Sequence, residues 1–174
     1  MAPIRQAAIM NTTDPTVIPA SRLGGRSAIV LVVFLLLSFA AAATGFFFPP
    51  GPWYETLNRP VFAPPNWLFG PVWTTLYILI AIAGWLIWRR VGWRSGLITL
   101  WLIQMGLNAL WTPLFFGLNL LGLALVEMGM LWIAIGACVM SFYRVSPAAS
   151  WLMMPYLAWV TFAFILNLGF WWLN

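Results

Sequence analysis

Three carboxamides, Gln104, Asn108 and Asn167, stand inside long apolar runs, each within a few residues of an aromatic ring. In hydrocarbon a polar side chain is costly and usually faces the interior of a helix bundle or a wet cavity. Gln104, Asn108, Trp111 and Phe115 follow at i, i+4, i+7 and i+11, so on a helix they share one face. Trp159, Ala163 and Asn167 make a second mixed face at i, i+4 and i+8, and Trp73 and Tyr77 lie one turn apart on another segment. Flat indole rings beside a few hydrogen-bonding groups suit a large aromatic ligand that needs stacking area and few polar anchors. The plainer reading of each amide alone is glue between helices, worth about 1 kcal/mol apiece. Their combination with indoles favours a pocket.

Those faces need helices that cross a bilayer. Of the 174 residues, 63% are hydrophobic and 6% charged, more apolar surface than a soluble domain of this length can hide. A span takes about 20 apolar residues. Five runs qualify: Ser27–Phe48, Val72–Trp88, Ser95–Phe116, Leu120–Tyr143 and Ser150–Leu173. The expected fold is therefore an all-α membrane protein, a five-transmembrane-helix bundle occupying residues 27–174, after a polar leader, 1–26, expected to be disordered. Ala40–Ala43 resembles a signal-peptide cleavage site, but the apolar run continues through Phe46–Phe48 and favours a span.

All eight basic residues are arginine, and they sit at span ends rather than along one soluble face, which argues against a nucleic-acid partner. With five spans, Arg5, Arg22, Arg26, Arg89, Arg90, Arg94 and Arg144 fall on one side and Arg59 on the other. The positive-inside rule then predicts an N-terminus on the arginine-rich side, the cytoplasm if this is a bacterial inner membrane, and a C-terminus across from it.

The chain has no histidine and one cysteine, Cys138. An intramolecular disulfide, a Cys/His zinc site, a histidine-ligated haem iron and a Ser-His-Asp hydrolase are thereby excluded. Glu127 is the only acid within a span; it is read as structural, hydrogen-bonded to a neighbouring helix, because no second ionisable partner stands at its depth. Gly122, Gly129 and Gly136 line up on one helical face, and Ala41 and Gly45 form a small-xxx-small pair. Either is a seam within the bundle or a dimer contact.

Between the first two spans lies a proline-rich, aromatic connection, WYETLNRPVFAPPNWLFGP. Glu55 and Arg59 stand at i, i+4, so a short helical turn ending at Pro60 would let them pair. Pro64 and Pro65 force an extended segment. The rings of Tyr54, Phe62, Trp67 and Phe69 would be wasted in water, and they are expected to fold over the open end of the bundle as a lid.

These segments resemble the TspO, or translocator protein, family, also called tryptophan-rich sensory proteins or peripheral benzodiazepine receptors. The resemblance rests on WYETLNRP, APPNWLFGPVWTTLY, LNALWTPLFFG, YRVSP and PYLAWVTFAFILN, in that order, and covers about residues 45–170. It implies a five-helix bundle, often a homodimer, that binds porphyrins (haem among the candidates) and isoquinoline or benzodiazepine drugs beneath the first loop, with no cofactor required. The family's cavity positions fall on Tyr54, Trp73, Gln104, Asn108, Phe115, Trp159, Ala163 and Asn167. All but Tyr54 lie on the mixed faces described above. Family members commonly carry lysine, proline and then tryptophan in the loop, where this chain has Arg59, Pro60 and Phe62. The cholesterol motif of mammalian members needs a tyrosine followed by a basic residue, and LNLGFWWLN has neither.

The expected function is binding of a tetrapyrrole for transport, sensing or regulation. The alternative implied by the resemblance is light-dependent porphyrin degradation, with Trp73 and Trp159 as the photochemical residues. A sterol or lipid carrier and a ligand-free scaffold are weaker readings.

Overall fold

The computed structural model describes residues 20–174, and every regular element in that range is helical. Helix α1, Ala20–Ala42, is followed after Ala43 by a short α2, Thr44–Phe47, and by α3, Pro52–Thr56. The remaining helices are α4, Phe69–Val91; α5, Gly96–Thr112; α6, Leu121–Tyr143; and α7, Pro147–Leu173. A 3-10 turn, Asn66–Leu68, leads into α4, and a π-helical turn, Pro113–Gly117, extends α5. Five helical stretches are long and apolar enough to cross a membrane, as the sequence predicts.

The ends differ from expectation for local reasons. Helix α1 starts at Ala20, so residues 20–26 are helical rather than part of a leader; residues 1–19 of the expected leader lie outside the described residues. Helix α4 continues past Trp88 because Arg89 and Arg90 complete its last turn, at the negative end of the helix dipole. It stops at Gly92, whose φ of 71° suits glycine and whose N–H donates to the Trp88 carbonyl at 2.8 Å. The Ser95 hydroxyl caps α5 by accepting from the Leu97 N–H at 3.2 Å. Ser146 caps α7 through the Ala149 N–H, with Pro147 in the first turn where its missing donor costs nothing.

Around the bundle the helices run in the order α1, α4, α7, α6, α5; α6 against α7 is the broadest interface, and α1 against α5 closes the ring thinly. The main core is built on Phe34, Ile80, Trp101, Ile135 and Tyr156, all fully buried. Here α4 approaches α1 and α5 closely through Gly84, where a Cβ would meet Phe34 Cε1 and Trp101 Nε1 at 2.7 Å each. The Trp101 ring is held by its hydrogen bond to the Ile80 carbonyl at 3.0 Å.

The glycine face of α6 is mainly an internal seam. A Cβ on Gly122 would meet Trp171 at 3.0 Å and one on Gly129 would meet Phe164 at 3.6 Å, both on α7, while Gly136 has no neighbour within 4 Å. Ala41 is buried, and a Cβ on Gly45 would meet nothing within 4 Å. Glu127 is buried as expected, but neither carboxyl oxygen has a hydrogen-bond partner, so the interhelical bond expected of it is not made.

Candidate functional site

A cavity of about 500 Å³ opens at the end of the bundle opposite Arg90, Arg94 and Arg144, and takes lining residues from all five spans. At its inner end Asn108 joins three helices. Its Oδ1 accepts from the Tyr77 hydroxyl at 2.7 Å, and its Nδ2 donates to the Tyr156 hydroxyl at 2.9 Å. Buried polar groups need such partners, so this amide is held in one orientation by α4 and α7 together.

Indoles make the walls. Trp73 from α4 stacks on Tyr77, ring centroids 5.3 Å apart, and Trp159 from α7 meets Phe69 edge-on at 5.8 Å. Trp111 from α5 stacks on Phe115 at 4.9 Å. Ala163 and Asn167, one and two turns beyond Trp159, continue the α7 wall. The Asn167 amide donates to the Leu121 carbonyl at 3.5 Å, so it does bridge helices, while its Oδ1 has no partner. The Nε1 groups of Trp111 and Trp159 are also buried and unpartnered.

The connection between α2 and α4 covers the outer end. Tyr54 on α3 is buried against Phe116 at 5.3 Å, Phe170 at 5.6 Å and Phe115 at 6.3 Å, in a second apolar cluster separate from the main core. The π-helical turn sets Phe115 and Phe116 side by side in this cluster, 4.8 Å apart. Burial pushes the Tyr54 phenol up, and the Arg59 guanidinium, 5.7 Å from the ring centre, opposes it.

Four sequence expectations need correction. Gln104 shares the helical face of Asn108 but does not line the cavity: one turn deeper the bundle is solid, Gln104 is fully buried, and its Nε2 donates to the Trp101 carbonyl of its own helix at 2.9 Å. Glu55 and Arg59 do not pair, because α3 ends at Thr56 and Leu57 is extended; Glu55 is exposed. Arg59 instead donates to Asn66 Oδ1 at 2.9 Å and to the Pro64 carbonyl at 3.4 Å, bracing the loop from within. Phe62 is half-exposed and rests near Gly169 of α7 rather than facing the cavity. Trp67 is 72% exposed and lines nothing, whereas Phe69 turns inward as expected.

Tyr54, Trp73, Asn108, Phe115, Trp159, Ala163 and Asn167 all line the cavity. Sequence reasoning missed Phe39 and Ala42 of α1, Asn66 in the loop, and Tyr156, the second partner of Asn108. Helix α1 is too uniformly apolar to mark a face. The Tyr156 role becomes legible only once α5 and α7 are placed together.

Residues 28–173 match the TspO/MBR family. The chain is 37% identical over 155 residues to Protein CrtK of Rhodobacter capsulatus, covering 83% of this chain and 92% of the relative. It is 40% identical over 148 residues to the tryptophan-rich protein TspO of Archaeoglobus fulgidus, covering 83% and 96%. Identity to the translocator protein of Homo sapiens is 39% over 123 residues, 68% of this chain and 73% of that protein. With five membrane-length apolar helices, the chain is an integral multi-pass membrane protein, and it belongs to the TspO/MBR family.

Proposed function

We propose that this protein binds a tetrapyrrole, a porphyrin or haem, within the membrane, in a sensing or transport role of the kind named in its relatives, the tryptophan-rich sensory protein of Cereibacter sphaeroides and the mammalian translocator proteins. The observation that carries the reading is the aromatic cavity itself: about 500 Å³, walled by Trp73, Trp111 and Trp159, with Asn108 fixed at the inner end. Ligand pockets of about 300–1,000 Å³ lined by rings with a few placed polar groups suit flat, mostly apolar molecules. No cofactor is required. Isoquinoline and benzodiazepine drugs fit the same reading, and a homodimer is proposed on family resemblance.

A fluorescence-quenching titration with porphyrins and sterols tests it. Saturable, tight porphyrin quenching with weak sterol binding is expected, since no tyrosine and basic residue stand together near Leu168–Asn174. Unchanged porphyrin affinity in folded Trp73→Ala, Trp159→Ala and Asn108→Ala would remove the pocket assignment. A second reading, light-driven degradation of the bound porphyrin, is favoured by the presence of both Trp73 and Trp159 in the wall. Product analysis in light and in darkness separates it from simple binding.

A further inference from the structure

The loop over the cavity is tied to the spans at one place. Asn58 donates its backbone N–H to Asn174 Oδ1 at 2.9 Å, and Asn174 Nδ2 donates back to the Asn58 carbonyl at 3.2 Å. The same Nδ2 donates to the Phe170 carbonyl of α7 at 2.9 Å, and Asn58 Nδ2 donates to the Leu173 carbonyl at 3.3 Å. Among the described residues, no other hydrogen bond links residues 49–65 to α1, α5, α6 or α7. Beside this contact Pro60 lies directly on Gly169 of α7, where a Cβ would meet Pro60 Cγ at 2.8 Å. Glycine is what lets the loop sit this low.

We propose that Asn58 and Asn174 form a reversible clasp that holds the loop shut and sets how long a ligand stays in the cavity. The residence-time part rests on the ligand-binding reading above; the clasp itself rests on the hydrogen bonds. Both asparagines are exposed, so their hydrogen bonds exchange with bonds to water at little net cost, which makes release reversible. The Arg59 brace ties Pro64 and Asn66 to the residue next to the clasp, so release frees a stiff piece rather than a slack chain. Asn66, at the far end of that piece, lines the cavity, so its displacement opens a wall. A barrier of this kind slows entry and exit alike, whereas a residue that only contacts ligand changes mainly the exit rate.

The test uses the full chain with Cys138→Ala, adding Asn58→Cys and Asn174→Cys, with protoporphyrin IX as the probe. Once mass spectrometry shows the disulfide, oxidation is expected to slow both association and dissociation at least tenfold, with reductant restoring both. Asn174→Ala and Gly169→Ala are expected to speed dissociation several-fold. Equal rates in the oxidised and reduced pair, or an unaltered dissociation rate in Asn174→Ala, would overturn the control of residence. Hydrogen exchange without ligand reads the clasp independently of porphyrin binding: Asn174→Ala should speed exchange at 57–63, and unchanged exchange there rejects the clasp. Faster exchange in a protein that binds no porphyrin would leave the clasp standing and sink the ligand reading instead.

Discussion

At the scale of single residues, the wall tryptophans and the loop charges make separable predictions. Trp73→Phe keeps a ring to stack and should retain most porphyrin affinity, while losing most of any light-driven chemistry that requires an indole. Trp159→Ala removes a wall. Stacking of a flat ring on an aromatic side chain is worth about 1–3 kcal/mol, so the loss should be on the order of tenfold or more in affinity, read by titration. Because Arg59 braces Asn66 and Pro64 while Glu55 faces outward, Arg59→Gln should speed proteolysis of the loop and Glu55→Gln should leave it unchanged. Equal sensitivity of the two variants would restore the discarded ion pair. Helical spacing was enough to place Asn108, Trp111 and Phe115 on the cavity wall, because a polar residue in hydrocarbon marks its own face. It could not tell Gln104 from Asn108, since depth along a face is set by where the neighbouring helices meet, not by period.

At the scale of elements, the existence of five spans was legible from run length and charge, because only continuous apolar segments of that length satisfy a bilayer. The loop was legible in part: its prolines forecast a stiff cover and its aromatics an inward side, yet Trp67 and Phe62 went elsewhere because a short turn cannot aim every ring the same way. Where helices touch most closely, sequence gives little warning, and Gly84 is the example. A methyl there would collide with Phe34 and with a Trp101 ring already fixed by Ile80, and neither fully buried neighbour has free space to move into. Gly84→Ala should therefore destabilise the bundle by about 1–3 kcal/mol, the usual cost of overfilling a core. The check is thermal unfolding in detergent, and an unchanged midpoint would show that α4 shifts without strain.

At the scale of the whole molecule, the bonded pair Asn58 and Asn174 puts the first loop and the C-terminal end of α7 at the same end, while Arg90, Arg94 and Arg144 follow at the other. Arginine asymmetry predicts that Arg90 is labelled from one side of the membrane and Arg59 and Asn174 from the opposite side, using single cysteines in a Cys138→Ala background. Labelling of positions 90 and 59 from one side would contradict five spans. The cavity belongs to this scale as well. Its inner anchor is one amide from α5 held by hydroxyls from α4 and α7, and its walls run from Phe39 to Phe170, so no contiguous stretch of chain contains it. Ligand preference is consequently not modular: a chimera that grafts the loop or any single helix from a relative transplants one side of a shape whose other sides were fitted to different neighbours. Recombination between relatives should therefore exchange loop behaviour more readily than it exchanges what the protein binds.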